Sequence, residues 1–148
     1  DRLVQVCHGA PGVLISLMSI REYFPNLQDR IDKAIARGRR DILERGLLTK
    51  EPCICHGNFP SQLHPQYFLA DTFGCVGITG NALALDDKEF EHFLTYTTGS
   101  EMKALEKDGL WEASSAPESL FCGEAGRAWS WAVADKGLPH RILGYNEI

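Results

Sequence analysis

Cys7-His8-Gly9-Ala10-Pro11-Gly12 and Cys55-His56-Gly57 each set a thiol and an imidazole side by side just before a glycine, twice in one chain. Two thiolates and one imidazole form a known catalytic zinc set. The soft sulfurs and the borderline nitrogen suit the ion, and a vacant fourth position takes water or a substrate sulfur. Such a zinc ion lowers the pKa of a bound thiol and yields a thiolate nucleophile near neutral pH. The two pairs are too far apart for a small zinc finger, so a larger fold has to bring them together. Taken singly, each cysteine reads as a small buried hydrophobe near a tight turn. What favours metal is the repetition of the pair in register with a Gly-x-x-Gly turn.

Helices must position these residues, because helical signals dominate and no alternation of useful length competes with them. After Gly12, the run Val13, Leu14, Leu17, Met18 and Ile20 is apolar on most sides, as expected of a helix buried between neighbours and ended by Pro25. Asn26 is the expected N-cap of a second, amphipathic helix with apolar positions Leu27, Ile31, Ala34, Ile35, Ile42 and Leu43, closed by Arg45-Gly46. The same order recurs. Gly77-Ile78-Thr79-Gly80 opens an apolar stretch, followed by a charged helical one from about Asp87 to Lys107 that stops at Gly109. A break is expected within it at Thr95 to Ser100, where helix propensity is weak. A third copy, Gly123-Glu124-Ala125-Gly126, opens a helix containing Trp129 and Trp131 that ends near Gly137.

The spacing of the copies is uneven: Gly12 to Gly80 is 68 residues, Gly80 to Gly126 only 46. The excess can be located. Cys55-His56-Gly57 should run straight into a Gly-x-x-Gly turn, yet 20 residues, Asn58 to Gly77, intervene; removing them leaves 48 against 46. That stretch has two prolines and no helical period, so it is expected to be a loop inserted at 58–77. Translated intron explains it: Gly57-Asn58 is encodable with a GTAA donor, Leu69-Ala70-Asp71 with a CTGAC branch sequence, and Cys75-Val76-Gly77 with a TAG acceptor. A lineage-specific loop is the alternative.

Composition bounds the rest. The chain has 148 residues, 44% hydrophobic and 24% charged, which fits one compact unit or a piece of a larger repeat fold. A net charge of −5 argues against nucleic acid, and the Arg37, Arg39, Arg40 cluster reads as a solvated helix face. Five cysteines, an odd number, fit reduced thiols in the cytosol better than a secreted disulfide framework. No run is apolar enough for a membrane span, and a chain beginning at Asp1 without Met is expected to be a fragment. Cys122 falls at the histidine register of the third copy, with Phe121 at the cysteine register, and is expected to be structural. Cys53, Cys75, His64, His92 and His140 belong to no such pair.

Together these residues resemble the lanthionine synthetase C-like proteins. The resemblance rests on Cys7-His8-Gly9-Ala10-Pro11-Gly12-Val13 and on Cys55-His56-Gly57 with Gly80-Asn81-Ala82 after the gap. Gly46-Leu47-Leu48-Thr49-Lys50, Leu120-Phe121 and Gly123-Glu124-Ala125-Gly126 add to it. The resemblance implies an all-α fold, the C-terminal part of an α/α-toroid of inner and outer helices, of which residues 1–148 supply about the last three hairpins of a fungal-type member. It implies zinc held by Cys7, Cys55 and His56, with His8 on the substrate side. It implies a protein that adds a thiol to dehydroamino acids in peptides, either by lanthionine formation or by glutathione addition. A non-catalytic glutathione- or protein-binding scaffold is the alternative.

The location implied is cytoplasmic, or peripheral at the inner face of the plasma membrane. Partners implied are a dehydroamino-acid peptide, glutathione, and the N-terminal hairpins of the same fold. The family's acid/base residues lie upstream, so no catalytic residue is assigned within this chain. The insert directly follows His56-Gly57, where a ligand shift of ~1 Å costs about 100-fold in rate. Zinc binding and activity are therefore expected to be impaired, and unpartnered apolar faces to destabilise the isolated chain. The related six-hairpin glycosidases cleave with paired carboxylates. Only Glu124 is placed to line a centre here, and it has no evident partner.

Overall fold

In a computed structural model, which describes residues 4–47, 53–54, 77–109 and 116–146, the protein is all-helical, with no strand among the described residues. The helices are α1 (Ala10–Ile20), α2 (Gln28–Arg45), α3 (Ile78–Ala82), α4 (Asp87–Thr95), α5 (Gly99–Lys107) and α6 (Glu124–Lys136). Each of the three Gly-x-x-Gly copies opens a helix at its first glycine: Gly9, Gly77 and Gly123 are the N-caps of α1, α3 and α6. Gly9 has φ 150°, a conformation that side chains avoid, so glycine is required at that cap.

Helices α1 and α2 pack as a hairpin, and α3 packs on α4. Helix α1 also touches α3, and α3 touches α6, so the three glycine-capped helices follow one another in an arc. This all-α arrangement is consistent with part of an α/α-toroid. Among the described residues, only turns follow α6. The core lies where these elements meet: Leu14 and Ile15 from α1, Ile42 from α2, Ile78 and Ala82 from α3, Phe90, Phe93 and Leu94 from α4, and Val133 from α6.

Several local expectations are met for physical reasons. The charged stretch breaks at Tyr96–Thr98 between α4 and α5. There Thr98 caps α5 by accepting the Glu101 N–H, and Arg127 and Trp131 of α6 donate to Thr97. Helix α6 ends on Gly137 in the left-handed conformation, the usual glycine C-cap.

Three expectations are corrected. Asn26 is not the N-cap of α2. Pro25–Leu27 form a 3-10 turn, and α2 starts after Leu27 without a side-chain cap. Helix α1 is not buried all round and ends at Ile20, before Pro25; Val13 is 58% exposed, and burial is confined to Pro11, Gly12, Leu14 and Ile15. Arg39 is no member of a solvated face, because its guanidinium holds Asp86 at 2.5 Å and the Ala84 carbonyl at 3.2 Å, fastening α2 to the turn before α4.

Candidate functional site

The segment Val4–Gly9 leads into α1, and its position is fixed from three sides. Asn81, fully buried in α3, donates through Nδ2 to the Val4 carbonyl at 2.9 Å and to the Gly46 carbonyl at 3.1 Å. One amide thus ties the approach to Cys7 to the end of α2. Gly12 supplies the second constraint, because a Cβ there would overlap the Val6 carbonyl oxygen. Val6 supplies the third: its Cγ2 would lie 2.7 Å from a Cβ on Gly80.

The same close approach occurs in all three copies. Gly126 presses on the Leu120 carbonyl, six residues upstream, just as Gly12 presses on Val6. In the second copy Gly80 presses on the Ile54 carbonyl, which lies 26 residues upstream. Ile54 in turn reaches the third copy, its Cγ1 lying 3.0 Å from a Cβ on Gly126. Val6, Ile54 and Leu120 therefore occupy equivalent places on successive turns. The residues that follow them in sequence are Cys7, Cys55 and Phe121.

At the first of these turns Cys7 is a free, exposed thiol. Gln5, only 1% exposed, directs its amide nitrogen at both members of the pair: Nε2 lies 3.2 Å from Cys7 Sγ and 3.3 Å from His8 Nδ1. His8 Nδ1 is itself 3.4 Å from Cys7 Sγ. The three groups form a tight triangle at the N-terminus of α1. The Gln5 Oε1 atom is buried and has no hydrogen-bond partner among the described residues.

Cys55 and His56 lie outside the described residues, as do Cys75, His64 and all but the last residue of the 58–77 stretch. No cluster of three metal-ligating side chains occurs among the described residues, where of the expected set only Cys7 falls. Two thiolates and an imidazole are a donor set that suits zinc, and one of the three, Cys7, lies among the described residues. Cys7 presents an accessible thiol, and Ile54 sets the residue before Cys55 in the equivalent register on the neighbouring turn.

Cys122 is half-buried beside Gly123, its N–H donating to Ser119 Oγ, and Cys53 is buried. Glu124 is engaged by Arg127, which donates to its Oε2 at 2.5 and 2.8 Å. His140 packs on Phe90, with Nδ1 donating to the Leu85 carbonyl at 2.8 Å. It borders a cleft of about 480 Å³ formed with Met18, Glu22, Arg39 and Asp86. That cleft lies at the C-terminal ends of α1 and α6, the opposite end of α1 from Cys7. Within it Arg39 pairs with Asp86, and His140 Nε2 lies 3.3 Å from Asp87 Oδ1.

Gln5 is a functional neighbour that motif reading passes over, and Asn81, quoted there within Gly80-Asn81-Ala82, is given no role by it. Each is a lone amide inside an apolar run, Val4-Gln5-Val6 and Ile78-Thr79-Gly80-Asn81-Ala82-Leu83, and a polar side chain so placed is the available signal. No helix among the described residues is long and apolar enough to cross a membrane. No solved structure matches the chain. Residues 1–64, the segment that carries Cys7, His8, Cys55 and His56, match the model of the family described as lanthionine synthetase C-like protein.

Proposed function

We propose that this chain is the metal-bearing part of a lanthionine synthetase C-like protein in which Cys7, Cys55 and His56 hold zinc and a thiol is added to dehydroamino acids in a peptide. Bound there, zinc supplies a thiolate near neutral pH. The observation that carries this reading is the packing of Val6 against Gly80 and of both Val6 and Ile54 carbonyls against their glycines, which supports Cys7 and Cys55 as neighbours at the same register. The thiol is a peptide cysteine or glutathione. It adds to the β-carbon of dehydroalanine or dehydrobutyrine, and a proton is taken up at the α-carbon. No described residue is assigned that proton.

In this chain the site is impaired. The second turn needs 20 more residues than the first and third to make the same glycine contact, which supports 58–77 as an insertion directly behind Cys55-His56-Gly57. That observation also favours the second reading, a scaffold that binds glutathione or a protein without catalysis.

Metal analysis separates these readings. Expected is sub-stoichiometric zinc in this chain, lost on Cys7→Ala, Cys55→Ala or His56→Ala, and approaching one per chain when 58–77 is deleted. Zinc unaffected by all three substitutions would refute the ligand set. Mass spectrometry of a dehydroalanine peptide incubated with glutathione distinguishes addition, read as one glutathione mass, from binding alone.

A further inference from the structure

The geometry points to Gln5 as the positioning residue that divides labour within the Cys7-His8 pair, holding His8 with its proton on Nε2 so that His8 serves as a hydrogen-bond donor on the substrate side and not as a metal ligand. This deepens the metal reading proposed above and rests on it for the role of Cys7.

A primary amide has two N–H bonds and no other donors. Gln5 Nε2 stands within 3.3 Å of two acceptors, Cys7 Sγ and His8 Nδ1, so each N–H has a target. Accepting at Nδ1 places the proton of the neutral ring on Nε2. The outward nitrogen then carries a hydrogen and has no lone pair to offer a metal. The competing arrangement sends an Nδ1–H to Cys7 Sγ, 3.4 Å away, and frees Nε2 as a ligand. Gln5 Nε2–H aimed at Nδ1 opposes it, since two hydrogens would face each other.

A second observation separates this role from plain packing. Gln5 is buried, and its Oε1 has no partner among the described residues. A buried orphan acceptor opposes folding, so an apolar residue of the same shape is better for the core than glutamine. What glutamine adds at this position is the pair of N–H bonds to Cys7 and His8. The same bond holds the Cys7 side chain in one rotamer, as outer-shell partners do for metal ligands.

The test is the tautomer of His8, read by long-range ¹H–¹⁵N correlation at a pH where imidazole is neutral, with the His8 signals assigned by their loss in His8→Gln. Expected in the wild type is an unprotonated Nδ1 and a protonated Nε2. In Gln5→Leu the preference is lost while the other four histidines keep their shifts. In Gln5→Glu, whose carboxylate only accepts, the proton moves to Nδ1. A wild-type His8 protonated on Nδ1, or a pattern unmoved by both substitutions, overturns the proposal. Cobalt substitution provides the second arm. A thiolate-to-cobalt band lost in Cys7→Ala but kept in His8→Ala supports the division, and its loss in His8→Ala overturns it. Absence of any such band in the wild type and in the 58–77 deletion refutes the metal reading, while the His8 tautomer still decides the role of Gln5.

Discussion

At the scale of single residues, the site depends on backbone approaches that only glycine allows and on one buried amide. A Cβ on Gly12 would overlap the Val6 carbonyl, which is backbone and cannot swing aside as a side chain would. Gly12→Ala is expected to cost about 1–3 kcal/mol by overpacking and to displace Cys7 with Val6. Gly99→Ala is the matching control. Its Cβ meets nothing within 4 Å at the start of α5, so higher helix propensity makes it neutral or stabilising by up to about 1 kcal/mol. Urea unfolding of the two variants checks the contrast, and equal losses would refute the packing account. Asn81→Ala leaves the Val4 and Gly46 carbonyls without their donor and is expected to cost about 2–4 kcal/mol in the same experiment. The glycines and the Cys-His pairs were legible because their types repeat in register. The bonding roles of Gln5 and of Asn81, the latter visible only as part of Gly80-Asn81-Ala82, were not, since an amide's partners, carbonyls and side chains from other elements, are set by tertiary folding and leave no local spacing.

Among elements, the break between α4 and α5 was readable from Thr95-Tyr96-Thr97-Thr98, where poor helix formers sit beside a threonine that caps the next helix. The cap assigned to Asn26 failed because Phe24-Pro25 imposes a 3-10 turn that moves the helix start past Leu27. What orients α2 there is an ion pair that sequence spacing does not announce: Arg21, just beyond α1, clamps Asp32 of α2 with bonds of 2.6 and 2.8 Å. The hydrogen bond from Arg21, with its positive charge, holds the Asp32 carboxyl below its ordinary range against a smaller opposing desolvation. A depressed folded-state value means that the stabilisation is present above the ordinary aspartate range and is lost as pH falls through the folded value. Both side chains are nearly half exposed, so the effect is small and screened by salt. Asp32→Asn is expected to leave the melting temperature at pH 7 almost unchanged and to flatten its decline below about pH 4. An acid limb identical to that of the wild type would remove the pair from the account of α1–α2 packing.

For the whole molecule, the most testable consequence lies in the unequal lengths of chain that make the same contact. Five residues separate Val6 from Gly12 and Leu120 from Gly126, whereas 25 separate Ile54 from Gly80. The repeat was visible in the sequence only once the excess was set aside, because 68 and 46 share no period until 20 residues are removed. Deleting 58–77 joins Gly57 to Ile78 and gives α3 a glycine N-cap again, in the order that Gly9-Ala10 and Gly123-Glu124 already show. A fivefold shorter connection lowers the entropy lost on closure by roughly 1.5 kcal/mol. The contacts of Gly80 with Ile54 and Val6 need no other change. The deletion variant is therefore expected to keep its helical circular dichroism and to melt several degrees higher than the full chain. An added segment that packed as part of the core would give the opposite result, a lower melting temperature and a less cooperative transition. The same variant shortens the chain that follows His56, so a rise in melting temperature accompanied by a gain of bound zinc would tie the proposed impairment to that one connection. A rise in stability without zinc would locate the defect in the ligands themselves.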